Sequence, residues 1–211
     1  DERGEHTTSL MTTMIDGGTQ AMEAQRALMA AMAEIVAERR REPGPDVVSR
    51  LLSHPAGYTD EEAVPELIVL LGGGNQPTGE WLGNALRLML TDDRFAVSIA
   101  GARSSAQQAL NEVLWEDTPT QVNAGRFAAH DVELGGKTIR KGDMILLGLA
   151  GANTDPRVRT APGCPNARGN HAHLSFSHGE HSCPYPAQEI AEIVATTAIE
   201  VLMDRLPDLE L

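Results

Sequence analysis

The chain has 211 residues, enough for one domain with its own core or for one lobe of a larger protein. Its 17 basic and 30 acidic residues give a net charge of −13, which argues against nucleic acid and anionic membrane surfaces as partners. The longest apolar run, Leu67–Leu71, falls far short of the roughly 18 residues of a membrane span, and the opening Asp1 to Thr8 is polar and mixed in charge, unlike a secretion signal, so a cytoplasmic location is expected.

Aromatic residues make up only 3%, so the core must come from Leu, Ala, Val, Ile and Met, a composition that favours helices. Thr19 to Arg41 reads as one long helix, with Met22, Leu28, Met29, Met32, Ile35 and Val36 near helical spacing and Arg39, Arg40 and Arg41 complementing the dipole at its end. Glu42-Pro43-Gly44-Pro45 stops it, and Asp46 to Leu52 is a short helical pattern. Thr59 with Glu62 three residues later forms a capping box. The apolar pattern that follows is broken at Gly72-Gly73-Gly74-Asn75-Gln76-Pro77 and resumes at Trp81–Leu90, which predicts an interrupted helix. Phe95 to Asp117 is helical. Residues 121–149 then read as short strands joined by glycine turns, and 154–173 as an irregular loop. Ala187 to Arg205 is the last helix, with Ile190, Ile193, Val194, Ala198, Val201 and Leu202 on its apolar face.

Of the two cysteines, Cys183 carries the strongest chemical signal. A metal ligand, a reactive thiol and a buried apolar side chain are the open readings for an unpaired Cys in a reducing compartment. Cys183 closes the loop Phe176-Ser-His-Gly-Glu-His-Ser-Cys183 just ahead of the final helix, where the positive end of the macrodipole favours a thiolate. Gly179 permits a tight turn that brings backbone amides toward the sulfur. Cys164 reads as a loop residue. His171, His173, His178 and His181 are spaced too irregularly for a zinc site.

The loop resembles the haem-binding loop of the cytochrome P-450 family, Phe-Gly-x-Gly-x-His/Arg-x-Cys-x-Gly, at Phe176, Gly179, His181 and Cys183. His173-Leu174-Ser175 resembles the family's lead-in, and Arg168 occupies the place of its meander arginine. Ala152-Asn153-Thr154-Asp155-Pro156 is similar to its Ala-Asn-Arg-Asp-Pro, Asp131 to Gly142 to its small sheet, and Leu206-Pro207-Asp208-Leu209 to its closing segment. The resemblance implies a mainly α fold with a small β-sheet, the C-terminal part of the cytochrome P-450 fold, in one domain over 1–211 that lacks the family's N-terminal half. It implies haem b ligated through iron by Cys183, with Phe176 and Gly179 beside the ligand and His181 and Arg126 pairing with propionates. Gly73 and Gly74 correspond to the small residues of the family's central helix, which lies against the cofactor. The implied activity is a monooxygenase, an oxidoreductase acting on a small apolar substrate with O2 and electrons from a ferredoxin-type donor. A partner chain covering the missing half is a further expectation.

Three departures qualify that activity. The family's acid-threonine pair is Gln76-Pro77, and Gln76 cannot deliver a proton as an acid can, while Pro77 has no hydroxyl. Thr78 stands one position late, about 100° around an ideal helix, and reads as a hydroxyl on the helix surface. The Glu-x-x-Arg pair is Glu112-Val-Leu-Trp115, as in a bacterial subgroup lacking that arginine. Tyr185, between two prolines, replaces the glycine after the ligand, and Ser177 replaces the glycine after Phe176. The alternatives to a monooxygenase are a catalytically impaired or haem-free helper protein, or one half of a split enzyme.

Overall fold

In the computed structural model of the chain, the described residues are 2–92, 103–159, 169–206 and 209, with the side chains of 103–105 outside the description. The beginning of the helix expected from Phe95, together with Cys164, Arg168, Pro207 and Asp208, lies outside the described residues. Helices dominate, accompanied by two small two-stranded sheets.

The contacts of the chain cluster in two units that divide between Gln76 and Pro77. In the first unit, helix α1 (Glu2–Asp16) was not anticipated, because its apolar residues gather only in its second half, at Leu10, Met11, Met14 and Ile15. Gly17 and Gly18, both at positive φ, end it. Helix α2 (Ala21–Arg41) matches the expected span. Leu28, Met32 and Val36 are buried along it, whereas Met22 and Met29 face solvent. Helix α3 (Val47–Leu52) is capped by Asp46, whose carboxylate accepts from the Ser49 amide at 2.8 Å.

Helix α4 (Asp60–Thr91) opens on the expected capping box: the Thr59 amide donates to Glu62 Oε2 at 3.0 Å and the Glu62 amide to Thr59 Oγ1 at 3.2 Å. The expected interruption does not occur, and α4 runs unbroken for 32 residues. Proline and glycine inside a helix cost about 3 and 1 kcal/mol respectively. Packing along the helix offsets this cost, since Ala63, Val64 and Leu67 are buried in the first unit and Trp81, Ala85, Leu88 and Met89 in the second. Gly73 lies four residues before Pro77, so the carbonyl crowded by the proline ring belongs to the most adaptable residue type. Gly72 is small for a different reason: a Cβ there would meet Met11 Sδ at 3.3 Å.

The second unit has helix α5 (Arg103–Glu116), strands β1 (Val122–Phe127), β2 (Val132–Leu134), β3 (Lys137–Ile139) and β4 (Met144–Gly148), helix α6 (Leu149–Asn153) and helix α7 (Ala187–Arg205). Strands β1 and β4 pair antiparallel, with a register shift between Asn123 and Arg126 where Gly125 takes positive φ. Strands β2 and β3 form a hairpin turned by Gly135-Gly136 at φ 56° and 73°, as a two-residue turn of this hand requires. The core of this unit joins Trp81, Ala85, Leu88 and Met89 of α4 to Ala109, Leu110, Val113 and Leu114 of α5 and to Ala195 and Ile199 of α7. Here the expected face of α7 is corrected. Ile190, Ile193, Val194 and Val201 are exposed, Ala198 and Leu202 are half-buried, and the helix turns Ala195 and Ile199 inward. The side that meets α5 is the one that carries Ala195 and Ile199.

Candidate functional site

The loop from Asn170 to Pro186 is fixed from behind before it reaches Cys183. Asn153, at the end of α6 and 1% exposed, donates through Nδ2 to the Leu114 carbonyl at 3.0 Å and to Ser175 Oγ at 3.2 Å. Its Oδ1 accepts from the Leu174 amide at 2.7 Å. Ser175 Oγ donates to the same Leu114 carbonyl at 2.8 Å. One buried amide therefore ties α5, α6 and the loop together, satisfying groups that would be costly to bury alone.

From Phe176 the chain turns sharply. The Ser177 amide donates to the Leu174 carbonyl at 2.8 Å, and Ser177 adopts φ 62°, a region that a residue with a Cβ rarely enters. Gly179, at φ 77°, starts a single 3₁₀ turn through His181. The Ser182 amide returns to the Gly179 carbonyl at 3.0 Å, and the Cys183 amide donates to the Phe176 carbonyl at 2.9 Å. That last bond closes the loop and holds the cysteine backbone against Phe176. Behind it, Phe176 stands edge-on to Trp81 at 6.1 Å between centroids, and Trp81 Nε1 donates to the Leu110 carbonyl at 3.1 Å.

Cys183 is half-buried and free of disulfide. Burial, and then the Glu189 carboxylate, push its thiol above the usual range. This corrects the expectation that the start of the last helix favours the thiolate. Cys183 precedes the first residue of α7 by four positions, and the first turn of that helix carries an acid. Among the described residues no N–H donates to the sulfur, so the amides expected around it serve loop closure instead. An anionic sulfur here needs a cation or a metal ion to hold it.

The other expected site residues are distributed as follows. Phe176 and Gly179 share the loop with Cys183, and a Cβ on Gly179 would meet nothing within 4 Å. His181 is exposed in the 3₁₀ turn, and Arg126 is half-exposed on β1. Neither has an ion-pair or hydrogen-bond partner among the described residues. Thr78 is buried, not on the helix surface. Gly73, Gly74 and Gln76 lie on the part of α4 that belongs to the first unit, and both glycines have open space where a Cβ would stand. Among the described residues no group of three His, Cys, Asp or Glu is placed to hold a metal ion.

Sequence reasoning missed the residues that support the loop: Asn153, Asn111, Asn170 and His173. His173 is flanked by Trp115 at 5.7 Å and Phe176 at 5.9 Å, and burial, followed by the charge of His171, lowers it to about 4. Asn153 could have been found, because a lone amide before an Asp-Pro turn is well placed to bond backbone groups.

No family model matches the chain. Individual proteins do. The Biotin biosynthesis cytochrome P-450 of Bacillus subtilis is 32% identical over 94% of this chain and 49% of its own length. The 2-hydroxy-5-methyl-1-naphthoate 7-hydroxylase of Streptomyces carzinostaticus is 31% identical over 86% and 45% respectively. Among solved structures, the bacillaene polyketide synthase cytochrome P-450 PksS of Bacillus subtilis superposes with a TM-score of 0.86 at 26% identity, over all of this chain and 55% of that one. A cytochrome P-450 in complex with an acyl carrier protein ligated to hexadec-9Z-enoic acid gives a TM-score of 0.84 at 30% identity, over 100% and 57%. The chain thus spans about half the length of the relatives it matches. Its fold is the C-terminal part of the cytochrome P-450 fold. In sequence and structure it resembles the C-terminal half of a bacterial cytochrome P-450.

Proposed function

We propose that the Cys183 loop is a haem-thiolate site and that the chain serves P-450-type oxidation of a small apolar substrate, with electrons from a ferredoxin-type donor. The observation that carries this reading is the closed loop, in which the Cys183 amide bonds the Phe176 carbonyl and leaves a half-buried sulfur with no protein partner among the described residues. The residues fit the group. Cys183 offers the thiolate, Gly179 and Phe176 leave one side of the loop open and the other aromatic, and Arg126 and His181 offer N–H donors to carboxylates. A raised thiol suits a ligand that ionises only when iron binds. Cys183 would hold haem through its iron, and the group would supply activation of dioxygen, with one oxygen atom going to a substrate C–H bond and the other leaving as water at the expense of two donor electrons and two protons. The chain's own part is to fix the sulfur, through the Cys183–Phe176 bond and the Asn153 tie, and to keep water from the Phe176–Trp81 side.

A second reading is favoured by α4. Gln76 and Pro77 stand where relatives carry a proton-delivering pair, and the helix runs through them without opening. On that reading the chain is a helper, or one half of a split enzyme whose other chain supplies the missing part.

The test is the visible spectrum of the chain reconstituted with haem, reduced and exposed to CO. The thiolate-ligated band that names the family, lost in Cys183→Ser, is expected. A spectrum that is the same in both proteins overturns the haem-thiolate reading. Turnover with a ferredoxin donor then separates the enzyme from the helper.

A further inference from the structure

The residue that breaks the Glu-x-x-Arg pattern is itself built into the site. Trp115 is 4% exposed, and its Nε1 donates to the Asn170 carbonyl at 2.9 Å. One turn earlier on α5, Asn111 donates to the same oxygen at 3.0 Å. The Asn170 side chain holds its own loop in shape, accepting from the Ala172 amide at 2.9 Å. From there the Trp115 ring meets His173 edge-on, His173 meets Phe176, and the Phe176 carbonyl accepts from the Cys183 amide. On the outer side Arg159 lies over the Trp115 ring at 5.9 Å and pairs with Glu116 at 2.5 Å.

We infer that Trp115 is a positioning residue for the Cys183 loop, with its indole N–H and the Asn111 amide together anchoring the Asn170 carbonyl where relatives use an arginine. Two neutral donors converge on one part-buried oxygen, so the anchor itself uses no charged group. The flat ring adds a packing surface that passes the anchor's position along His173 to Phe176. Trp115 is 4% exposed, so a cation placed at position 115 loses its water shell together with the indole bond to Asn170. The departure from the family pattern is therefore a substitution of mechanism at this position. The role toward a ligated sulfur rests on the haem-thiolate reading above, whereas the anchoring of the loop does not.

The experiment is amide hydrogen exchange on the haem-free chain, followed at Leu174, Ser177 and Cys183, with Ala195 in α7 as the internal reference. Trp115→Phe keeps the ring and removes the N–H. It is expected to speed exchange at the three loop amides about tenfold and to leave Ala195 unchanged. Asn111→Leu is expected to act in the same direction at the same amides, which decides the matter if the Trp115 variant does not fold. Trp115→Arg, although it restores the family's residue, is expected to speed loop exchange more than Trp115→Phe does. Unchanged loop exchange in both Trp115→Phe and Asn111→Leu overturns the proposal, as does equal acceleration at Ala195, or a Trp115→Arg loop as protected as the parent. A parent chain that takes up no haem refutes the earlier reading and leaves this exchange result to stand by itself.

Discussion

Acid should loosen the Cys183 loop through His173. Its ring lies between Trp115 and Phe176, its Nδ1 is buried without a partner, and burial lowers it from 6.5 to about 4. A base whose folded value is lowered binds fewer protons folded than unfolded, so stability rises with pH across the gap between the two values. The contribution is fully present above about 6.5, is lost as pH falls toward about 4, and changes no further below that. About 2.5 units at about 1.4 kcal/mol each gives roughly 3.4 kcal/mol, and the ring's partial exposure reduces this to about 1–2 kcal/mol. His173→Phe keeps an aromatic ring in the stack and removes the titration. Urea midpoints measured at pH 7.5, 5.5 and 4.0 should show the parent losing about 1–2 kcal/mol more than this variant. Parallel pH profiles for the two proteins, or an NMR titration of His173 centred near 6.5, would refute the reasoning.

Asn153→Ala should cost about 3 kcal/mol, because it strips the Leu174 amide of its buried acceptor and opens a space between α5 and the loop. Chemical denaturation of the second unit's core reads it, and a loss below about 1 kcal/mol would count against the tie. Ser177→Gly should stabilise by about 0.5–1 kcal/mol, since the φ 62° conformation costs a side-chain-bearing residue about 1–2 kcal/mol and glycine returns part of that in chain entropy. A rise of about 2–4 °C in Tm per kcal/mol is the scale to look for, and a fall contradicts the assignment.

The helices with strong local punctuation were legible in the sequence. α2 ends at its Pro-Gly-Pro stop, α3 starts after Asp46 and α4 begins on its capping box because each signal is a hydrogen bond or a φ restriction within a few residues. α1 was not, as Thr7, Thr8, Thr12 and Thr13 dilute its periodicity and three of these hydroxyls bond back to the helix's own carbonyls. The break expected in α4 came from weighing local cost alone, when the decisive term was burial at both ends. The face of α7 was legible only in part: Ala198 and Leu202 are half-buried, while Ala195 and Ile199 take the buried places expected of Ile193 and Val194. At the site, the loop from Phe176 to Cys183 was visible as a run of residue types with special φ and a ligand. Its support was not, since Asn153, Asn111 and Trp115 act across 21 to 59 residues of chain.

Among the described residues, the hairpin of β2 and β3 contributes no side chain to the core of the second unit. Its strands are exposed apart from a half-covered Ile139, and its ladder is closed on itself, with Asp131 accepting from the Lys141 amide at its base. Among the described residues, nothing lies within 4 Å of a Cβ built at Gly135 or Gly136 of its tip. That tip is consequently a port for engineering, where a fluorophore, an affinity tag or a tethered electron donor can be spliced in while the cysteine loop keeps its shape.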